Sequence, residues 1–348
     1  MTKPMGQDVT VTITNWNGQH YLQPCIAAVQ TQTVTPARVI VVDNASTDGS
    51  VEYLVDQHPD VEVLQLDSND GPSAARNAGL EAAQTRYVLS IDNDAMLEPN
   101  CLEELLKGLA DDVAIVQPRA LFDADPTLIH YDGADMHYAG IMTLRNFYRP
   151  VSEASDKYSD LGAAISVALL LDRDKCLEVG AYDKRHFILF EDHDFSYRVR
   201  MRGYRIIHAP KARLLHREGT AGISFREKGQ YTPQRVFLHS RNRWIVLTKC
   251  AAASTLVLGL PGILLYEGAY FFFALKNGST LAWISGKLAW LKLLPELWAE
   301  RRVIQKSRRV SDRQLLTADP LTVSPLIERK GMIPKLQRGL DRVLSALW

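Results

Sequence analysis

The sequence lacks several features that would assign it to a class at once. Its four cysteines lie far apart and include no CxxC pair, which argues against a zinc site and favours reduced thiols in a cytosolic protein. The first residues, MTKPMGQDVT, contain no apolar segment of the kind found in signal peptides. Neither charge is in excess, with 40 Lys plus Arg against 40 Asp plus Glu. This balance argues against a dedicated nucleic-acid binder, so no nucleic-acid partner is expected.

Two glycine-rich nucleotide-binding motifs are also missing. The chain has no GxGxxG, which a Rossmann dehydrogenase would need. The turn after the first predicted strand is Asn15-Trp16-Asn17-Gly18, where a sugar nucleotidyltransferase would carry a GxGxR-type loop. Hydrophobic residues make up 46% of the 348 residues, enough for a sizeable core in one large domain with an appendage, or in two domains.

Short apolar segments alternate with helical patterns over the first third of the chain. Strands are predicted at 9–14, 39–42, 61–66, 87–91 and 113–117, with helices between them. Further strands are predicted at 165–171, 204–208 and 212–216, and a loosely patterned stretch at 121–160 is expected to shape a site. The alternation predicts an α/β fold, a doubly wound and mainly parallel sheet with helices on both faces.

A pair of carboxylates follows the apolar strand at 87–91. Asp92 and Asp94 leave the sheet where open α/β sheets bind ligands. Two carboxylates one residue apart can face a divalent cation and a phosphate together, and Mg²⁺ or Mn²⁺ takes such oxygen ligands. The alternative is a solvated Asp-Asn-Asp turn that caps the following helix.

Polar residues at other strand ends and helix starts are further candidates. Asp43 ends the second strand beside Thr14 and Asn15, and it would either accept a bond from a nucleobase or cap a turn. Arg76 lies in the first turns of a helix, a position that favours phosphate, although a surface arginine is the alternative.

The segment Glu191-Asp192-His193-Asp194 places three carboxylates at a helix start, behind an apolar run. Such acids stabilise a first helical turn, but one of them can instead serve as a general base. His216 ends a strand and is either structural or a third metal ligand. Arg241, with Arg243, could neutralise a pyrophosphate or begin a basic membrane flank.

Together these segments resemble the family 2 glycosyltransferases with a GT-A fold, in the bacterial rhamnosyltransferase-like branch. The resemblance covers about residues 9–244 and is carried by VTITNWNG, VIVVDNASTDGS, NDGPSAARNAGL and SIDNDAML. It continues through the stretch from Gly162 to Ile206, which contains FEDHD, and on to His216 and Arg241-Asn242. The serine or proline usual inside the DxD motif is Asn93 here.

The resemblance implies a role for each matching residue. Asp192 is expected to be the general base, and the metal is expected on Asp92, Asp94 and His216. The nucleotide-sugar donor is expected to contact the residues Thr14, Asn15, Asp43, Arg76, Asp92 and Arg241.

The same resemblance implies an inverting transfer with one displacement and a divalent metal, Mg²⁺ or Mn²⁺. The expected donor is dTDP-rhamnose or a UDP-hexose, and the expected acceptor is a glycan or lipid-linked precursor of a cell-surface polysaccharide. A sugar nucleotidyltransferase and a catalytically inactive membrane protein that binds a nucleotide sugar are the rival hypotheses.

The composition changes after about residue 244, which predicts a catalytic domain at 1–244 and a helical region at 245–348. Residues 250–266 carry no charge, but Gly259, Pro261 and Gly262 favour a helix–break–helix hairpin with a second arm at 266–275. From Lys292 onward, basic residues exceed acidic ones. This pattern predicts a peripheral or monotopic enzyme on the cytoplasmic membrane face. The alternative is a helical appendage packed on the catalytic domain or on a second subunit of a homo-oligomer.

Overall fold

The central sheet is built from the apolar segments predicted as strands. The computed structural model describes residues 5–217, 231–322 and 333–348, and in these ranges ten strands form one sheet and three form another. The strands are β1 Val9–Asn15, β2 Arg38–Asp43, β3 Glu62–Gln65, β4 Tyr87–Asp92, β5 Ala95–Leu97, β6 Val113–Phe122, β7 Ile129–Tyr131, β8 Ala134–His137, β9 Ile141–Leu144, β10 Ser159–Asp160, β11 Ala168–Asp172, β12 Arg205–His216 and β13 Leu316–Thr317.

The strand order of the large sheet is β10-β12-β6-β11-β4-β1-β2-β3, with β5 beside β12 and β7 beside β6. β1 to β4 run parallel, as do β6 and β12, while β11 is antiparallel to both of its neighbours. The prediction of a mainly parallel sheet is therefore confirmed. In the register of β1, Thr14 lies opposite Asp92 and Asn15 opposite Asp43, so the polar ends of three strands meet at one edge.

Helices cover both faces of this sheet, as predicted. They are α1 Gln19–Gln30, α2 Ser50–Gln57, α3 Pro72–Ala82, α4 Cys101–Lys107, α5 Arg173–Glu178, α6 Glu191–Met201, α7 Pro233–Cys250, α8 Ala253–Leu258, α9 Leu260–Lys276, α10 Thr280–Lys306, α11 Asp312–Leu315 and α12 Ile333–Ala346. One core cluster joins the sheet to α1 and α4 through Leu22 and Leu102, and another joins it to α3 and α6 through Leu80 and Phe195. This two-sided core fixes where each strand end lies.

One local prediction was wrong, and one alternative does not match the structure. The strands predicted at 204–208 and 212–216 are one strand, β12, with an irregularity between Ala209 and Arg213. The strand continues because it pairs with β6 on both sides of that irregularity. The Asp-Asn-Asp segment does not run into a helix either. It is followed by β5, whose residues pair with the last residues of β12, including Ala95 with His216.

The C-terminal helices share a core with the rest of the chain. Val246, Leu247 and Ile263 are buried in the same cluster as Tyr138, which follows β8, and Tyr197 of α6. The packing on the catalytic region that the alternative hypothesis describes is therefore present. The division into 1–244 and 245–348 stays a prediction, and α7 runs without interruption across that position.

The predicted interruption is present, but the second helix begins earlier than predicted. Pro261 and Gly262 lie in the first turn of α9, where proline is tolerated, so the helix continues through Glu267 to Lys276. The interruption lies before it, between α8 and α9 at Gly259. Over the ranges that the structure describes, none of the helices combines the length and apolar character that crossing a bilayer requires.

Part of the predicted basic flank faces inward. Arg301 donates to the carbonyl oxygens of Thr248 and Ala251 at 2.7 and 2.6 Å, and Arg308 pairs with Asp312 at 2.5 Å. Arg329 and Lys330, which belong to the same predicted flank, lie outside the described residues.

Candidate active site

A cavity of about 580 Å³ opens at the edge where the parallel strands end. Several predicted site residues line it, namely Thr14, Arg76, Asp92, Asp94, Asp192 and His216. Aromatic side chains complete the wall, among them Trp16, Tyr21, Tyr131 and Phe187. The fold thus brings together residues up to two hundred positions apart in the sequence.

One side of the cavity holds a carboxylate and two histidines in a row. The Nε2 atom of His216 lies 3.3 Å from Asp94 Oδ2, and its Nδ1 atom lies 2.9 Å from His130 Nδ1. Two ring nitrogens can share a hydrogen bond only if one carries the proton and the other accepts it. If Nε2 of His216 gives its lone pair to a cation, its Nδ1–H must donate to His130.

In the middle of the cavity, an arginine lies between two carboxylates. Arg76 Nη2 contacts both oxygens of Asp92 at 2.8 and 3.0 Å, and its Nη1 lies 3.5 Å from Glu191 Oε1. Enclosure raises the pKa of Asp92 to about 6, with Arg76 opposing the shift and Asp94 adding to it. Burial also raises the pKa of Glu191 to about 8, again opposed by Arg76. Arg76 therefore compensates a concentration of negative charge.

Asp192 reaches the cavity from the first turn of α6. Its Oδ1 atom is buried and has no hydrogen-bond partner among the residues described. Burial raises the pKa of Asp192, and Arg76 and Ser166 act in the opposite direction. An acceptor oxygen that is buried and available is the arrangement needed to take a proton from a bound hydroxyl.

The loop before α6 is strained and held from behind. Phe187, Leu189 and Phe190 have positive φ angles of 60°, 68° and 72°, which non-glycine residues rarely adopt. The side-chain amide of Asn242 donates to the carbonyls of residues 186, 188 and 189 at 2.9, 3.1 and 2.7 Å. Arg241 donates to the carbonyls of residues 185 and 186, at 2.7 and 3.2 Å. These bonds fix the loop and therefore the start of α6, which carries Asp192.

Close approaches by two glycines complete the cavity wall. A Cβ atom on Gly71, which has a φ of 85°, would lie 2.6 Å from the carbonyl oxygen of Phe187. A Cβ atom on Gly18 would lie 2.0 Å from Nδ2 of Asn93. Glycine at these positions lets the start of α3 touch the loop before α6, and lets the turn between β1 and α1 touch the Asp-Asn-Asp segment.

Three predicted donor residues do not line the cavity. Asp43 is fully buried, and it accepts bonds from Asn15 Nδ2 and from the backbone N–H of Ser46, both at 2.8 Å. Asn15 also accepts from Asn93 Nδ2 at 2.6 Å. Arg241 lies behind the loop, as described above. The structure therefore places Asn15, Asp43 and Arg241 in a supporting layer.

A second carboxylate cluster lies behind the cavity. Asp183, His186 and Asp194 bring potential ligand atoms within 4.8 Å of one another. However, Lys249 Nζ lies 3.0 Å from Asp194 Oδ1, and Arg198 contacts Asp194 Oδ2 at 2.6 Å. Although burial acts in the opposite direction, Arg198 and Lys249 hold the pKa of Asp194 well below its usual range. Protein cations already neutralise this cluster, so we regard it as structural.

Sequence reasoning missed two residues of the site. His130 lies in the loosely patterned stretch that was expected to shape a site, but nothing in its spacing singles it out as the partner of His216. Ser166 precedes β11 and bonds to Tyr182 at 2.7 Å beside Asp192. Only the three-dimensional fold brings these residues to the predicted ones.

Comparison with known proteins identifies the family. The family model for glycosyl transferase family 2 matches residues 10–161, and that for glycosyl transferase family group 2 matches residues 87–300. The chain therefore belongs to the family 2 glycosyltransferases. The family matches do not distinguish the rhamnosyltransferase-like branch.

Two curated relatives and one crystal structure illustrate the likeness. The chain is 34% identical to the uncharacterized glycosyltransferase YibD of Escherichia coli over 32% of its length and 33% of YibD. It is 30% identical to the pre-mycofactocin glycosyltransferase of Mycobacterium tuberculosis over 61% of its length and 43% of that protein. The chain thus spans less than half the length of these relatives.

The crystal structure of GalNAc-T7 with UDP, GalNAc and Mn²⁺ superposes with a TM-score of 0.59 at 15% identity, over 75% of this chain and 52% of that one. The fold is thus the GT-A fold that the sequence predicts.

Proposed function

We propose that this chain is an inverting glycosyltransferase that moves a sugar from a nucleotide-diphosphate donor to an acceptor hydroxyl. The observation that carries the proposal is the buried and available Oδ1 of Asp192, in the same cavity as the Asp94–His216 pair. Release of nucleoside diphosphate from a donor, compared between the wild type and an Asp192 variant, tests it.

The arrangement gives Asp192 and Arg76 separate parts in the reaction. Asp192 would take the proton of the acceptor hydroxyl as that oxygen attacks the anomeric carbon. A single displacement inverts the anomeric centre, so neither an enzyme nucleophile nor a second carboxylate acid is required. Arg76 would hold Asp92 and Glu191 in place, because it contacts both.

The donor set at the cavity edge fits a divalent cation. Asp94 and His216 would hold it together with Asp92, because carboxylate oxygens and an imidazole nitrogen suit Mn²⁺ or Mg²⁺. When bound, the cation supplies positive charge for the leaving diphosphate. The Mn²⁺ in the GalNAc-T7 structure supports this assignment.

We further propose a division of work in donor binding. Thr14, Arg76 and Asp92 would contact the donor directly, since they line the cavity. Asn15, Asp43 and Arg241 would act behind them, through the hydrogen bonds that fix the end of β1 and the loop before α6. The proposed donor is dTDP-rhamnose or a UDP-hexose, used in the synthesis of a cell-surface polysaccharide.

His130 offers a test of the proposed metal site that does not depend on turnover. Replacing His130 by alanine removes the acceptor that orients the His216 ring, so Mn²⁺ affinity should fall by roughly 10–100-fold. Titration of Mn²⁺ by calorimetry measures it. His20, which lies on α1 outside the lining of the cavity, provides the matched control: His20→Ala should leave the affinity unchanged. Equal affinity in His130→Ala and the wild type would return both histidines to a structural role.

The exposed surface of α8–α10 supports association with a membrane on the cytoplasmic face. Val257, Leu258, Phe272 and Leu281 are each more than 70% exposed. Apolar side chains in such number on one helical region mark an interaction surface. Exposed basic residues accompany them, namely Lys276, Lys292, Arg302 and Lys306. We propose that these helices rest on anionic lipid, where a lipid-linked acceptor would be presented.

Single substitutions test this surface without disturbing the core. Phe272→Ala and Leu281→Ala should each weaken binding to vesicles of mixed neutral and anionic lipid by about tenfold, because each removes on the order of 1.5 kcal/mol of apolar burial. Co-sedimentation measures the effect. Val55 on α2 is also well exposed, at 61%, and Val55→Ala should bind as the wild type does. If all three variants and the wild type bind vesicles equally, the proposed membrane surface is wrong.

A further inference from the structure

A second cavity of about 460 Å³ lies on the other side of the loop before α6. Its wall combines aliphatic with aromatic side chains, and the aromatic ones include Phe190, Tyr231, His239, Tyr266, Tyr270 and Phe273. The rings contact one another closely, with His239 stacked on Tyr270 at 3.9 Å and Tyr231 edge-on to Phe273 at 4.8 Å. Such a wall is typical of sites that enclose an apolar ligand.

One loop separates this cavity from the catalytic one. Phe187 and Ile188 line the catalytic cavity, whereas Leu189 and Phe190 line the second. The alternation continues into α6, where Asp192 faces the catalytic cavity and His193 the second. The positive φ angles of the loop produce this reversal. A molecule that occupies the second cavity therefore lies one loop away from the proposed general base.

The second cavity carries little charge. The hydroxyls of Tyr231 and Tyr270 lie 3.2 Å apart, and that of Tyr266 lies 3.2 Å from His239 Nε2, so the rings offer mainly their faces. Burial lowers the pKa of His193 to about 3, which leaves this side chain neutral. Among the described residues of the wall, Arg235 is the one that carries a full charge, and its guanidinium lies 5.1 Å from the Tyr231 ring centre.

His193 adds a polar side chain to this wall. It is fully buried, and neither of its ring nitrogens has a hydrogen-bond partner among the described residues. Tyr270 and Phe273 of α9 line the cavity, and Phe272, which lies between them in the sequence, is exposed. The apolar wall is thus continuous along the chain with the surface that we propose rests on lipid.

We propose that the second cavity binds the apolar chain of a lipid-phosphate acceptor, with its sugar-bearing end extending past Phe190 to Asp192. Arg235 would face the phosphate, where the apolar chain meets the polar head. This inference rests on the proposed function for the identity of the occupant as an acceptor. The cavity itself can be tested separately from catalysis.

Two adjacent phenylalanines of α9 provide a matched pair of variants. Phe273 lines the cavity, whereas Phe272 is 72% exposed. Farnesyl phosphate serves as a soluble probe, and its affinity for the full chain is measured by calorimetry below its micelle concentration. We expect Phe273→Ala to bind the probe about tenfold more weakly, because the variant loses a ring of the wall, and Phe272→Ala to bind as the wild type does.

The membrane test should give the opposite order for the same two variants. Phe272→Ala should bind vesicles about tenfold more weakly than the wild type, while Phe273→Ala should bind them as the wild type does. Ala269→Trp, at the edge of the cavity, is a second variant that should weaken probe binding by adding volume instead of removing it. Thermal unfolding of each variant, with and without Mn²⁺ and a nucleoside diphosphate, checks that the fold and the catalytic cavity are intact.

Equal affinity of the probe for the wild type, Phe273→Ala and Ala269→Trp would overturn the inference. Displacement of the probe by inorganic phosphate alone would overturn it too, because the chain would then contribute nothing. A failure of the proposed function has a different signature: no nucleotide-sugar turnover in the wild type, together with unchanged and cavity-dependent probe binding.

Discussion

Replacing Asp192 by asparagine should reduce sugar transfer by roughly 10²–10⁴-fold while donor affinity stays within about twofold of the wild type. The substitution keeps the size of the side chain and its place at the start of α6. It removes the basic oxygen that has no partner among the described residues. Measurement of kcat from nucleoside diphosphate release, beside calorimetric donor binding, separates loss of chemistry from loss of binding.

The neighbouring carboxylates supply the controls. Asp194→Asn should act mainly on stability, because Asp194 is fully buried against Arg198 and Lys249, and loss of one partner of a buried pair costs about 3–5 kcal/mol. Asp174→Asn, at a side chain that is 83% exposed, should change neither quantity. Activity of Asp192→Asn close to the wild type would assign the base to Glu191, which shares the cavity.

Removal of the divalent cation should reduce activity by a comparably large factor. Loss of Asp94, the proposed ligand of the cation, should do the same. Activity in excess EDTA, and activity of Asp94→Ala at saturating Mn²⁺, should fall on the order of 10²–10³-fold, because the cation's charge is worth several kcal/mol at the leaving group. His216→Ala should lose less, since a neutral imidazole contributes no charge to the site. Activity as a function of added Mn²⁺ or Mg²⁺ is the measurement.

Asp123 provides the matched control for the substitution of Asp94. It is partly exposed, pairs with Arg217 at 3.3 Å, and lies close to His216 without lining the cavity. Asp123→Ala should keep its dependence on metal. Full activity of the wild type in excess EDTA would remove the metal from the proposal. The roles of Asp92 and Asp94 would then have to be sought in donor binding alone.

Much of the sheet was predictable because its strands are apolar and short. The run from Tyr87 to Ile91 and the segment around Val41 could only satisfy their backbone groups and bury their side chains as central strands. Parallel strands then carry Thr14, Asp43 and Asp92 to one edge by geometry alone. Spacing along the sequence was therefore enough to place the Asp-Asn-Asp segment in a cavity.

The finer positions depended on contacts between residues far apart in the sequence. Asp43 was expected to face a nucleobase. The sequence does not indicate that the side-chain amide of Asn15 donates a hydrogen bond to Asp43 in the protein interior. Similarly, nothing near Arg241 in the sequence indicates that its side chain donates to the carbonyls of residues 185 and 186. Such partners are set by the packing of α7 against a strained loop, and no local pattern encodes that.

The C-terminal region shows the same limit. Composition predicted helices with an interruption at Gly259, Pro261 and Gly262. The interruption lies at Gly259, whereas Pro261 fits the first turn of the next helix. The truncation suggested by composition, near Trp244, would cut α7 and remove Val246 and Leu247, which belong to the shared core. Point substitutions on the exposed surface are therefore the sounder test of membrane binding.

The central claim is that the cavity transfers a sugar from a nucleotide-diphosphate donor with Asp192 as base. The most direct measurement is nucleoside diphosphate release by the purified full chain from a panel of UDP-, dTDP- and GDP-sugars. The assay contains Mn²⁺ and a membrane lipid extract as the source of acceptor, and Asp192→Asn is run in parallel. We predict that at least one donor is consumed by the wild type, that EDTA stops the reaction, and that Asp192→Asn is slower by roughly 10²-fold or more. If no donor is consumed, or if Asp192→Asn releases the nucleoside diphosphate at the wild-type rate, the account is contradicted.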